Sequence, residues 1–166
     1  FNRALFDAAT GTDISNPREQ ENEITSWIDG SMIYGSSAER NAALRESGTP
    51  FMKTSAGNLL PFNEDSLTNA NGFITDPTAL FLAGDIRANE QLGLTVMHTL
   101  FVREHNRIAQ NLLDDDPDAE PDILYEQARR LVIAKIQVIT YQEWLPVLLG
   151  PDAIPVYSGY DDDVNP

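Results

Sequence analysis

The sequence predicts a mainly α fold, and two observations carry this prediction. Two long segments, residues 90–113 and 123–144, contain many apolar side chains and are long enough for helices. One short stretch, residues 51–62, has the composition of strands, so at most a small β-hairpin is expected. The 166 residues, 42% of them hydrophobic, are enough for one modest domain.

The first half of the chain is expected to hold loops and short elements. Its polar opening contains Gly11 and Pro17, which favours a surface loop. Further on, ERNAALRE (residues 39–46) predicts one short helix, and PFMKTSAGNLLPF (residues 50–62) predicts two brief strands around an SAGN turn. Residues 63–77 return to the Asn-rich composition of a loop.

The two long helices follow one another in the second half. The first is predicted from about Glu90 to Leu113, and its apolar residues lie on several faces, which is typical of a buried helix. The acidic run DDDPDAEPD contains two prolines, so it ends this helix, and we interpret it as a solvated loop. The second helix is predicted from about Ile123 to Trp144, and its later half is almost continuously apolar.

Composition excludes several classes of function. The chain has 26 acidic and 11 basic residues, and its net charge of −15 repels phosphate backbones and anionic lipid, so nucleic-acid binding is not expected. It contains no cysteine, which excludes disulfides and thiolate metal sites. Charged residues interrupt each apolar run before the ~20 residues that a membrane-spanning helix needs.

The stretch GDIRANEQ, residues 84–91, is the first candidate site. Arg87 and Glu90 are three residues apart, between two apolar segments. If a helix starts near Asp85, both project from its first turns, where a fixed guanidinium can stabilise an anion as a bond breaks. The alternative is a local ion pair, worth ~0.2 to 0.5 kcal/mol.

Two further groups of residues could bind ligands. His98 and His105 lie on one face of the predicted helix, but two turns separate them by ~10 Å, so they cannot share a metal ion; each serves either in packing or as a single ligand. In TSWIDGS, the side chains of Thr25, Asp29 and Ser31 and the carbonyl of Trp27 could supply oxygens to calcium. Alternatively, these are cap and turn residues.

Four blocks of sequence, in order, point to one family. They read TSWIDGSMIYGS, LLPF, FLAGDIRANEQLGLTVMHTLFVREHNRIA and ITYQEWLPVLLG. This series resembles the animal-type haem peroxidase family, also called the peroxidase-cyclooxygenase superfamily, most strongly from Ile24 to Gly150. Residues 1–166 are therefore interpreted as part of its helical peroxidase domain.

The resemblance implies a role for each candidate residue of the GDIRANEQ stretch. Arg87 matches the distal catalytic arginine, which polarises hydrogen peroxide and stabilises charge while the O–O bond breaks. Glu90 matches the carboxylate that in several members forms an ester with a haem methyl group. Gln91 stands where chloride-oxidising members carry a Met linked to haem, so efficient chloride oxidation is not expected.

The resemblance also bears on the other two groups. Thr25, Trp27, Asp29 and Ser31 match the family's calcium loop, which an Asp outside this chain completes. By the same comparison, the two histidines occupy positions that do not ligate iron. Their packing interpretation is therefore retained.

The chain departs from the family in what it lacks. The family's distal histidine lies upstream of the segment that resembles this chain, and the proximal histidine lies downstream. The chain also opens at Phe1 without an initiator Met, so we expect a piece of a longer protein that is inactive by itself. The absence of cysteine suggests a bacterial-type member.

The function expected of the full-length parent is that of a haem peroxidase. It would bind haem b and Ca²⁺, reduce hydrogen peroxide, oxidise a small donor or halide, and work outside the cell. One alternative is a fatty-acid dioxygenase of the same superfamily, whose catalytic Tyr lies outside this segment. The other is a secreted, calcium-stabilised adhesion or matrix module without activity.

Overall fold

The computed structural model describes residues 5–22, 24–70, 74, 76–161 and 163. Helices dominate this part of the chain and isolated β-bridges replace strands, which confirms the mainly α prediction. The five α-helices of the described residues are α1 (Ser31–Tyr34), α2 (Ala38–Leu44), α3 (Leu92–Asp115), α4 (Pro121–Val138) and α5 (Leu145–Leu149).

The predicted strands of residues 50–62 do not form. A single bridge, between Ser55 and Leu59, closes the SAGN turn. Phe62, which would face Met52 in a hairpin, forms a bridge with Phe81 instead. In addition, the side-chain amide of Asn106 on α3 accepts from the backbone N–H of Met52 at 2.7 Å and donates to its carbonyl at 2.9 Å. Because these backbone groups are already bonded, a partner strand cannot use them.

The α3 and α4 helices pack against each other. The bounds of α3 and the start of α4 lie within two residues of the predicted positions. The acidic run supplies their connection, in which the N–H of Asp116 donates to the carbonyl of Leu112 and closes α3. Pro121 then opens α4, where its missing N–H is not needed. The acidic side chains of residues 114–118 are exposed, as expected of a solvated loop.

The second long helix does not run unbroken to Trp144. It changes at Ile139–Trp144 into a π-helical turn, in which the N–H of Leu145 donates to the carbonyl of Thr140. Pro146 lies at the start of α5 and has no N–H to donate. The wider turn accommodates the proline ring, which would clash with a regular helical carbonyl.

A histidine and two tyrosines form the polar centre of the core. Tyr34 and His105 are fully buried, and the phenol O–H donates to His105 Nδ1 at 3.0 Å while Nε2–H donates to the carbonyl of Pro50 at 3.1 Å. The ring of Tyr125 lies 4.8 Å from the imidazole, centroid to centroid. Burial lowers the pKa of His105 to about 4, so the imidazole is neutral at pH 7.

Part of each long helix is exposed, contrary to the prediction that the first is buried on several sides. The buried side of α3 carries Val102, His105, Ile108 and Ala109. Its first half contacts the rest of the chain on one side only, and the opposite side exposes Leu92, Val96, Met97 and Leu100. The π-helical turn and α5 likewise expose Ile139, Tyr141, Trp144, Val147, Leu148 and Leu149.

Membrane insertion by a helix receives no support from the described residues. None of their helices combines the length and the apolar character that a bilayer span requires. The longest, α3, carries charged residues along its second half.

Tyr34→Phe is expected to lower the free energy of unfolding by about 1 to 3 kcal/mol, because it leaves a buried imidazole nitrogen without its donor. Tyr141→Phe is the matched control, since this side chain is 52% exposed. Urea unfolding measures both. Equal effects of the two substitutions would show that the buried hydrogen bond contributes nothing.

Candidate functional site

The GDIRANEQ stretch is a series of turns in the structure, so the condition that a helix starts near Asp85 is not met. Helix α3 begins at Leu92. Gln91 caps it, because its backbone is extended and its side-chain Oε1 accepts from the N–H of Gly93 at 2.9 Å. The candidate arginine and glutamate therefore lie before the helix start, not in its first turns.

Side-chain hydrogen bonds hold this turn in its non-helical shape. The amide of Asn89 accepts from the N–H of Phe81 at 3.0 Å and donates to its carbonyl at 2.8 Å. The hydroxyl of Thr95 donates to the carbonyl of Ala88 at 2.8 Å, and Ala88 itself is buried. These bonds compete with helix formation and fix the path of the backbone.

Arg87 pairs with Asp85 and not with Glu90. Its Nε donates to Asp85 Oδ1 at 2.9 Å, and its Nη2 donates to Oδ2 at 2.7 Å. This two-pronged pair lowers the pKa of Asp85 and raises that of Arg87, mainly through the hydrogen bond between them. The predicted alternative, an ion pair with Glu90, is therefore wrong, and the exposed glutamate lies beside the turn without taking this role.

Gly84 brings the turn into close contact with α1. A Cβ atom at this position would lie 2.4 Å from the carbonyl oxygen of Ser31 and 2.6 Å from the nitrogen of Gly35. The N–H of Asp85 also donates to the carbonyl of Met32 at 3.0 Å. The segment that carries Arg87 is thus bound directly to α1.

The TSWIDGS loop leads directly into α1, which begins at Ser31. Thr25 Oγ1 accepts from the N–H of Trp27 at 3.1 Å, and Asp29 Oδ1 accepts from the N–H of Ser31 at 2.9 Å. Both are bonds of turn residues, as the alternative to calcium binding predicts. Among the residues that the structure describes, no three His, Cys, Asp or Glu side chains are grouped to hold a metal ion. Calcium binding by this loop therefore stays a prediction.

An open cleft of about 1110 Å³ brings the two candidate sites together. Its lining includes Thr25, Trp27 and Ser31 as well as Arg87 and its partner Asp85. Asp29, Glu90 and Gln91 are not part of its lining. The structure therefore unites Arg87 with most of the predicted calcium loop but leaves the other two haem-facing candidates outside this cleft.

Both histidines are buried in the fold. His98 donates from Nδ1 to the carbonyl of Leu94 at 2.7 Å, and its Nε2 is buried and has no partner among the described residues. Both nitrogens of His105 are bonded in the core. The packing interpretation of the two side chains is consistent with these contacts.

The described residues fit the edge of a haem group but not its iron. Arg87 and Glu90 present a cation and a carboxylate on an anchored turn, and exposed Leu92 and Val96 follow directly on α3. A porphyrin needs this combination of apolar contact and polar edge. The axial ligand of the iron is expected from a part of the longer protein outside this chain.

Sequence reasoning missed the two residues that hold the turn, Gly84 and Asp85. The motif GDIR contained both, but only Arg87 received a role. An Asp two residues before an Arg in a turn-forming segment is the signal that could have indicated the pairing.

Sequence comparison identifies the family. The family model described as "Animal haem peroxidase" matches residues 1–166. Peroxidase mlt-7 of Caenorhabditis elegans is 44% identical over 155 residues, which cover 90% of this chain and 21% of that protein. The chain belongs to the animal haem peroxidase family, and it spans about a fifth of the length of this relative.

Solved structures show the same fold. Peroxidase A from Dictyostelium discoideum matches with a TM-score of 0.81 and 35% identity, covering 92% of this chain and 30% of that one. A fatty acid alpha-dioxygenase of Arabidopsis thaliana matches with a TM-score of 0.64 and 30% identity, covering 84% of this chain and 20% of that one. The helical peroxidase-domain prediction is confirmed.

Gly84→Ala is expected to lower the free energy of unfolding by about 3 kcal/mol or more, because the new methyl group meets backbone atoms that cannot move aside. Urea unfolding is the measurement. The control is Gly48→Ala, where space is open and the left-handed backbone, with φ +74°, is the only penalty. That substitution should cost about 1 kcal/mol. A smaller loss at position 84 than at position 48 would contradict the close contact.

Proposed function

We propose that the longer protein carrying this chain is a haem-dependent peroxidase that reduces hydrogen peroxide and oxidises a small donor or halide. Family membership supports this reaction class. The observation that carries the proposal is the guanidinium of Arg87, held by Asp85 at the edge of a cleft with its side chain 55% exposed. An extracellular location belongs to the same proposal.

Arg87 is proposed to bind and orient peroxide. Haem, when bound, supplies the iron at which peroxide is reduced. Asp85 takes one N–H at Nε and one at Nη2, so the two N–H groups of Nη1 and one of Nη2 remain for a ligand. Because its pKa lies even above the usual range for arginine, the guanidinium stays charged and acts by hydrogen bonding, not by proton transfer.

Glu90 is proposed to anchor haem by an ester. Gln91 is proposed to form no covalent bond with haem, unlike the Met that chloride-oxidising members carry at this position. Glu90 is exposed, so its carboxylate is accessible to a haem methyl group. Forming the ester would replace a methyl C–H bond by a C–O bond, a two-electron oxidation for which hydrogen peroxide, reduced to water, would be the oxidant. Gln91 uses its side-chain oxygen to cap α3 and contains no sulfur for a sulfonium bond. Efficient chloride oxidation is therefore not part of the proposal.

The TSWIDGS loop is proposed to bind calcium. Asp29 uses Oδ1 in its turn, and Thr25 and Ser31 line a cleft that remains open to further ligands. Oxygen ligands from side chains and backbone suit this cation. Residues outside this chain would complete the ligand set.

Fatty-acid dioxygenation is the second candidate, favoured by the match to a fatty acid alpha-dioxygenase. The likeness to Peroxidase A is greater in both TM-score and identity, so we prefer the peroxidase. Oxygen uptake with a long-chain fatty acid, in place of peroxide consumption with an aromatic donor, would reverse this preference. A matrix module without activity would show neither reaction.

Arg87→Ala in the haem-loaded protein is expected to lower the second-order rate constant for hydrogen peroxide about 100-fold or more, because the fixed donors are lost. Stopped-flow absorbance measures this constant, and the Soret band reports that haem is still bound. Arg107→Ala is the control, since Arg107 is exposed on α3 and pairs with Glu104 at 2.8 Å. An unchanged constant in Arg87→Ala would refute the proposed role.

Asp29→Asn separates the calcium role from the turn role. The amide oxygen keeps the bond to the N–H of Ser31 but lacks the negative charge that strengthens calcium binding. The melting temperature should therefore fall relative to the unsubstituted protein in excess Ca²⁺ and stay equal to it in chelator. If the variant and the unsubstituted protein melt at equal temperatures in both media, the loop does not bind calcium.

A further inference from the structure

Asp85 does more than occupy a turn. It accepts three hydrogen bonds from Arg87: from the backbone N–H at 2.8 Å, from Nε at 2.9 Å and from Nη2 at 2.7 Å. Two parallel bonds between a carboxylate and a guanidinium fix the plane of the cation as well as its position. We propose that Asp85 is a positioning residue that sets the direction in which Arg87 presents its remaining donors to peroxide. This inference rests on the proposed function.

Asp85 is itself held in place by the fold. Its side chain is 15% exposed, whereas that of Arg87 is 55% exposed. Its N–H is bonded to the carbonyl of Met32, and the preceding Gly84 lies against the backbone of α1. The carboxylate is therefore fixed by the fold, and its two bonds restrict the rotamers of the more exposed arginine.

Among the described residues, Arg87 is the cation that forms hydrogen bonds with the carboxylate of Asp85. Of the residues that the structure describes, Arg40 is a second arginine close enough to interact with the charge of Asp85, and it is buried. Its guanidinium donates to the carbonyls of Ala83, at 2.7 Å, and of Thr68. Since these carbonyls satisfy it, Arg40 does not compete for the carboxylate by hydrogen bonding. His98 is close enough to act on Asp85 electrostatically, but its hydrogen bond goes to a backbone carbonyl.

A second arginine pair of the same geometry provides a control. Arg107 donates from Nε to Glu104 Oε2 at 2.8 Å and from Nη2 to Oε1 at 2.9 Å, and its side chain is 56% exposed. This pair lies on α3 and does not line the cleft of Arg87. Breaking it should release an arginine without affecting the reaction.

The kinetic test is a double-mutant cycle in the haem-loaded protein. Asp85→Asn keeps an oxygen for the backbone N–H but cannot hold both prongs, so the rate constant for hydrogen peroxide should fall roughly 10-fold to 100-fold. Arg87→Ala should lower it further, and Asp85→Asn should add nothing in the Arg87→Ala background. The KM for the electron donor should stay unchanged. Glu104→Gln should leave the rate constant at the unsubstituted value.

A spectroscopic test does not depend on turnover. In protein labelled with ¹⁵N-arginine, the Nε–H signal of Arg87 is assigned by its loss in Arg87→Lys. Hydrogen exchange of this proton should speed up in Asp85→Asn and stay unchanged in Glu104→Gln, which should speed up only the Arg107 signal. Unchanged exchange at Arg87 in Asp85→Asn would overturn the inference.

The kinetic outcomes separate the inference from the proposed function. If Arg87→Ala reacts with peroxide at the unsubstituted rate, the proposed function fails. If Arg87→Ala is slow but Asp85→Asn reacts at the unsubstituted rate, or the two effects are additive, the positioning role fails and the function survives. Arg87→Lys decides the matter if Asp85→Asn does not fold. Lysine keeps the charge but cannot form the fork, so its rate constant should approach that of Arg87→Ala, and an unsubstituted rate would refute positioning.

Discussion

The close contact between Gly84 and helix α1 is the constraint on which the rest of the site depends. Only a residue without a side chain allows the backbone to approach the carbonyl of Ser31 and the nitrogen of Gly35 at this distance. The contact places Asp85 where its N–H reaches Met32 and its carboxylate meets Arg87. A buried backbone contact thus determines where an exposed cation stands.

Helix α1 is short, but it joins three parts of the molecule. At its start, the TSWIDGS loop is joined to α1 by the hydrogen bond from the N–H of Ser31 to Asp29. At its end, Tyr34 reaches the buried imidazole of His105 on α3. Along its backbone lies the turn that begins at Gly84. The loop and the core therefore both contact the helix against which the segment with the candidate catalytic arginine is packed.

The sequence was sufficient for the long elements and for the family, but not for the local geometry of the site. Apolar patterning located α3 and α4 within a few residues, because proline and the acidic run punctuate them clearly. It placed the start of α3 too early, since side-chain bonds from residues such as Asn89 hold the preceding turn out of the helix. One of the two alternatives that it left open paired Arg87 with Glu90 by spacing, whereas the observed partner, Asp85, depends on a turn geometry that helical spacing does not describe.

Our central claim is that Arg87, held by Asp85, and its neighbour Glu90 line the edge of a porphyrin pocket. The most direct measurement is a crystal structure of the longer protein with haem bound. We predict that both side chains contact the porphyrin edge and that the arginine keeps its two-pronged bond to Asp85. Both side chains turned to solvent, with no haem beside them, would contradict the claim.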